Sequence, residues 1–213
     1  MDFMILGCKS FEELANEIKS RMPAKENSLE IERKWLIDYS LINYLSTKMN
    51  LEFSAKEVFA AYLSIEPEIR FRTMRDLKSY DISSYLSYKT NGELIREEYD
   101  IEISKDDVKE IANYIQDNEE INKCDKTNWK YLFKHYYKFN YGNGIEIEIS
   151  VVDTDEDFTY MEIEFPDADS ANSFQLPEDI ATYVKSEVTS DPYYKMKNYW
   201  ARTRLNKINK SGN

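Results

Sequence analysis

The sequence predicts an α+β protein built on antiparallel strands. Eight segments alternate apolar and polar residues with period two, near 29–37, 57–64, 67–75, 83–90, 93–103, 128–140, 144–152 and 158–165. Asn91-Gly92 and Gly142-Asn143-Gly144 sit between neighbouring segments as tight hairpin signals. Helical periodicity is confined to short stretches around these strands. One lies in the first 28 residues, where Ser10 and Glu13 have capping-box spacing, Phe11, Leu14, Ala15, Ile18 and Met22 share a side, and Pro23 marks the stop. Others fall at about 39–49, at 105–117 behind Ser104 and Asp107, at 168–174, and at 177–186 behind Pro177.

No Gly/Ser linker or internal repeat divides the 213 residues. The simplest organisation is an extension over 1–28, one domain over 29–205 and a polar tail over 206–213. Charged residues make up 32% and the net charge is −12, which argues against a general duplex-DNA grip. Cys8, Cys124 and His135 are too few for a disulfide framework or a typical zinc site. No apolar stretch approaches a membrane span and MDFMILGC lacks a basic n-region, so a cytoplasmic protein is expected. A divalent metal here should be hard and carboxylate-bound, magnesium or manganese.

The charges sort by strand. In LEIERKWLI, Glu30, Glu32 and Lys34 share one face, with Ile31, Arg33, Trp35 and Ile37 on the other. Glu146 and Glu148 are paired in IEIEIS, and Glu162 and Glu164 in YMEIEF. Arg70 and Arg72 align in EIRFRT, Lys89 follows Ser87 in YLSYKT, and Arg96, Glu98 and Asp100 align in LIREEYDIEI. Like charges side by side repel and stabilise nothing. Two readings account for the pattern. An antiparallel sheet with one wet face shows the same alternation. Alternatively, the charged faces point inward, the sheet closes into a barrel, and the interior holds water, metal and a polyanion. Clustered carboxylates suit hard cations, and clustered Arg and Lys suit phosphate oxygens.

The EIERK run at 30–34 resembles the E-x-E-x-K signature of the CYTH superfamily, the triphosphate tunnel metalloenzymes. The resemblance continues in order through AAYLSIEPEIRFR, YLSYKTNGELIREEYDIEI, IEIEISV, MEIEFPDADSANSF and EVTSDPYYK. It implies a closed eight-stranded antiparallel tunnel with a charged interior, flanked by helices, acting on triphosphates with magnesium or manganese. By resemblance, Glu30, Glu32, Glu148, Glu162 and Glu164 are metal ligands, with Glu98 and Glu146 in support. Lys34, Arg70, Arg72, Lys89, Arg96, Lys134 and Lys195 grip phosphate, and Lys34 with Glu30 and Glu32 would form the catalytic set. The chain departs from the family where a Lys-x-Arg pair is common. NWKYLFKHYYKF has no arginine there, leaving Lys130 or Lys134, with Lys134 preferred. The expected activity is hydrolysis of inorganic tripolyphosphate or another terminal triphosphate. Class IV adenylate cyclase, thiamine triphosphatase and a non-catalytic polyphosphate or nucleotide binder are the alternatives. A small-molecule triphosphate is the expected partner, with no membrane or duplex nucleic acid, in a monomer or homodimer.

Overall fold

Period-two alternation becomes nine strands in the computed structural model, which describes residues 4–21, 29–92 and 94–205. They are β1 (Leu29–Ile37), β2 (Phe53–Ser64), β3 (Glu68–Asp76), β4 (Ile82–Lys89), β5 (Ile95–Glu102), β6 (Leu132–Gly142), β7 (Ile145–Val152), β8 (Thr159–Glu164) and β9 (Val184–Glu187). The order is β5-β4-β3-β2-β6-β7-β8-β1-β9, and β5 also pairs with β1. The first eight therefore close into an antiparallel barrel with one extra strand outside it. The turn signals hold. Gly142, Asn143 and Gly144 all have positive φ. At Gly92 a Cβ would meet the Ile95 carbonyl oxygen at 2.0 Å, so only glycine fits there.

The helices are α1 (Phe11–Arg21), α2 (Ser40–Asn43) running into a π-helical turn (Tyr44–Lys48), α3 (Lys105–Asp117), α4 (Ala168–Ser173), α5 (Glu178–Ala181) and α6 (Met196–Arg204). Ser10 Oγ accepts from the Glu13 amide at 3.1 Å, and Ser104 with Asp107 forms the full capping box. Two expectations need correction. The helix expected over 177–186 is one turn, after which β9 pairs with Trp35–Ile37 of β1. A free strand edge outweighs the local helical signal there. The helix over 196–204 was not expected at all. Met22, the Pro23 stop, residue 93 and the 206–213 tail lie outside the described residues.

The outward strand faces are apolar and covered by helices. Leu14, Ala15 and Ile18 of α1 and Ile111 and Ile115 of α3 join Ile69, Phe71, Leu86 and Ile101 in one core. Trp35, Ile37, Ile147, Ile149, Met161 and Ile163 form a second with Leu41, Ile42, Leu45 and Ile180. Arg33, on the outer side of β1, bonds Glu187 through both Nε and Nη2 and reaches the Ala171 and Phe174 carbonyls through Nη1.

One end of the barrel is plugged. The interior there carries Leu36, Tyr62, Leu132, Val152 and Tyr160, which pack in the first core with Tyr199 and Trp200 of α6. Fully buried Arg204 fixes the plug, donating through Nη2 to Asp153 Oδ1 at 2.8 Å and Oδ2 at 2.9 Å. Tyr199 Oη also donates to Asp153, at 2.8 Å. Cys8 and Cys124 are free and buried. Among the described residues no helix is long and apolar enough to cross a membrane.

Candidate active site

Barrel closure turns the charged faces inward around a cavity of about 340 Å³. Among the described residues nine basic and eight acidic side chains line it, a near balance inside a chain of net charge −12. The wet-face reading is therefore set aside: these charges look into an enclosure rather than onto open solvent.

Cross-strand register brings the acids together. Glu32 stands opposite Glu164 across β1 and β8, and Glu148 opposite Glu162 across β7 and β8. Burial and the facing carboxylates of Glu162 and Glu30 push the Glu32 carboxyl up to about 7. Burial and Glu148 do the same to Glu164, also to about 7. Burial acts on Glu30 too, but Lys89 and Arg96 outweigh it and hold that carboxyl well below the usual range. Glu162 is likewise held low by Lys34 and Lys134 against the effect of burial.

The bases face the acids and bond to them. Lys34 Nζ donates to Glu162 at 2.8 Å, and Arg96 to Glu30 at 2.5 Å and Glu32 at 2.7 Å. Lys89 lies 3.1 Å from Glu30 and 3.0 Å from Glu98, which also pairs with Arg70 at 3.2 Å. Arg72 pairs with Asp100. The Nε atoms of Arg70 and Arg72 are buried and, among the described residues, have no hydrogen-bond partner. Two orphaned guanidinium donors in a cavity call for an anion.

Lys134 lines the cavity beside Tyr160, whose hydroxyl its Nζ contacts. Burial, with Lys34, Arg70 and Lys89 nearby, brings its ammonium down to about 7. Lys130 is elsewhere: its Nζ caps the end of α3, donating to the carbonyls of Ile115, Gln116 and Asn118. Lys195 lines the cavity and donates to the Gly92 carbonyl at 2.6 Å. Glu146 departs from the expected set. It lies outside the cavity, largely exposed, 2.7 Å from Lys138, which also reaches Glu148 at 3.3 Å. It shares a face with Glu148 but sits two residues, roughly 7 Å, further toward the rim.

Sequence reasoning left Lys56, Glu68, Asp100, Tyr136, Tyr160 and Lys197 unassigned, and all of them line the cavity. Strand parity places the first five. Lys197 had no such signal, because it comes from the unexpected α6.

The sequence matches no family model and no curated protein. Solved structures similar to the chain include the hypothetical protein NE1496, at 20% identity and TM-score 0.45, covering 80% of this chain and 96% of that one. A protein of Pyrococcus horikoshii OT3 shares 17% identity over 67% of this chain and 82% of its own, with a TM-score of 0.47. HpAC1 from Hippeastrum, described as a proposed adenylyl cyclase with a dominant triphosphatase activity, shares 11% identity over 68% and 82%, with a TM-score of 0.39.

What the site can do follows from its own chemistry. Among the described residues no three carboxylates are gathered closely enough to hold a cation as they stand, since most are bonded to bases. The donor set nonetheless fits a hard divalent ion. Burial first, and neighbouring acids second, raise the Glu32 and Glu164 carboxyls to about 7, and a divalent ion bound between them would relieve both effects. Arg70 and Arg72 present their unpartnered Nε donors across the same space.

Proposed function

We propose that the chain is a triphosphate tunnel enzyme that hydrolyses inorganic tripolyphosphate or a related terminal triphosphate with magnesium or manganese. The observation that carries this reading is the enclosed, nearly balanced lining of acids and bases with two orphaned arginine donors. A bare polyanion would be repelled by the glutamates, and a bare cation by the arginines and lysines. A polyphosphate that arrives with its cations satisfies both sets at once.

Glu30, Glu32, Glu148, Glu162 and Glu164 would hold the metal. When bound, it would neutralise phosphoryl oxygens and acidify water. Arg70 and Arg72 would bind phosphoryl oxygens through their free Nε donors, exchanging part of their bonding to Glu98 and Asp100. Arg96 and Lys89 would do likewise as Glu30 turns to the metal. These cations stabilise charge that builds on the oxygens as the phosphoanhydride bond breaks. Lys134, near neutrality in its proton affinity, can take a proton from attacking water or return one to the departing phosphate.

The test is turnover. Purified protein is incubated with tripolyphosphate, ATP and thiamine triphosphate, with magnesium, with manganese and with chelator. Release of orthophosphate that stops with chelator and in Glu30→Gln supports the reading. Cyclic AMP with pyrophosphate, or binding without any product, overturns it.

A further inference from the structure

Strand β8 sets one aromatic ring among the charges of the cavity. Tyr160 is 1% exposed and lines the cavity, opposite Ser150 of β7 and Leu36 of β1 in register. Two lysines from two other strands converge on it. Lys34 Nζ, from β1, stands 3.6 Å from the ring centroid. Lys134 Nζ, from β6, stands 5.0 Å from the same centroid and donates to the Tyr160 hydroxyl. Lys34 also pairs with Glu162 at 2.8 Å. Among the described residues Lys134 has no ion pair, and the phenol is its polar anchor.

Two ammonium groups stripped of water repel each other, so drawing both onto one buried side chain costs free energy. Tyr160 lowers that cost in two separate ways. Its electron-rich ring face attracts Lys34, and its hydroxyl oxygen accepts from Lys134. A side chain that only filled the core would need neither contact. Its edge-on packing against Phe158, 6.4 Å between centroids, is open to a phenylalanine as well.

We propose that Tyr160 is a positioning residue that holds Lys34 and Lys134 as an aligned pair, the first by its ring and the second by its hydroxyl, so that both act on the same phosphoryl group. The inference rests on the triphosphate reading and deepens it. Strands β1 and β6 do not pair with each other, yet both lysines line the cavity. Lysine side chains have many rotamers, and a contact that fixes two of them beforehand removes that entropy cost from the catalytic step. The effect of Tyr160 therefore falls on kcat rather than on KM, and the effect of its hydroxyl passes through Lys134.

The experiment uses the full chain with magnesium and either tripolyphosphate or ATP, over incubations long enough to read very slow variants. It compares Tyr160→Phe, Tyr160→Leu, Lys134→Met, and Tyr160→Phe combined with Lys134→Met. Tyr160→Phe keeps the ring and loses the hydroxyl, and kcat should fall about tenfold while KM stays within about twofold. Tyr160→Leu loses both and should fall about tenfold further. In the Lys134→Met background the phenylalanine should change kcat by less than about twofold, because the hydroxyl then has nothing to hold. In ligand-free protein the Lys34 ε-methylene proton signal, shielded by the ring beside it, should keep its position in Tyr160→Phe and lose its shielding in Tyr160→Leu. Where Tyr160→Leu does not fold, the phenylalanine cycle decides. An unchanged kcat in Tyr160→Phe, an equal loss in both backgrounds, or an unshielded Lys34 signal in the parent overturns the assignment. A parent protein that neither binds nor splits tripolyphosphate or ATP overturns the underlying reading, and this inference with it.

Discussion

Glu32 shows the conflict between binding and stability most clearly. Its carboxyl is pushed up to about 7 by burial and by Glu162 and Glu30, so keeping it ionised above neutrality costs the metal-free fold free energy. Glu32→Gln should therefore raise the melting temperature of metal-free protein at pH 8 while reducing triphosphate hydrolysis at least a hundredfold. Thermal melts and phosphate release measured on the same preparation check both halves. Arg72 lies on the other side of this balance. Arg72→Ala removes a free donor together with its bond to Asp100, and kcat/KM should fall about a hundredfold or more. Strand parity made most of these residues legible, because a charge on the inward face of one strand meets its partner on the next strand, as Lys34 meets Glu162, or two strands away, as Arg72 meets Asp100. Parity says nothing about depth. Glu146 and Glu148 read alike in the sequence, yet one lines the cavity and the other sits at the rim.

At the level of elements, most barrel strands were legible because one face is apolar and the other charged; β2, whose cavity face is Lys56, Val58, Ala60 and Tyr62, is the exception. The elements that were not legible are those whose form depends on what they pack against. Residues 184–187 become a strand because β1 offers an edge, and 196–204 become a helix because the end of the barrel needs filling. That second dependence can be measured. Trp200 is fully buried in the plug, and Trp200→Ala should cost about 3–5 kcal/mol by chemical denaturation. Arg204→Ala should cost a similar amount, about 3–5 kcal/mol, since it leaves Asp153 buried with its charge uncompensated. If both variants melt like the parent, α6 does not hold the barrel closed.

For the whole molecule, the acid-rich interior sets the response to pH and ligand. Glu32 and Glu164 are raised above the usual carboxyl range, so they stabilise the fold when protonated and this contribution is lost as pH rises toward and through about 7. Lys134 is lowered to about 7, so its contribution runs the opposite way, improving as pH rises from 6 to 8. Two carboxyls outweigh one amine, and metal-free protein should melt higher at pH 6 than at pH 8. Lys134→Met should widen the gap. Magnesium added together with a slowly hydrolysed triphosphate should reverse the order, because ligand binding favours the ionised carboxylates and stabilises only the folded state. A melting temperature that rises steadily from pH 6 to pH 8 without metal would show that these acids do not oppose one another in solution.

The three-way pairing of β1 has a consequence for how the chain comes together. Its two edges are met by β5 over Leu29–Ile31, by β8 over Glu32–Leu36 and by β9 over Trp35–Ile37. This strand, the earliest-made of the barrel, thus waits for partners made up to about 150 residues later, and such distant pairings are slow to form. Until β8 arrives, its row of acids has no enclosure, and a nascent chain halted before residue 184 carries every glutamate of the proposed metal set and all eight barrel strands, but not the helix that stoppers one end.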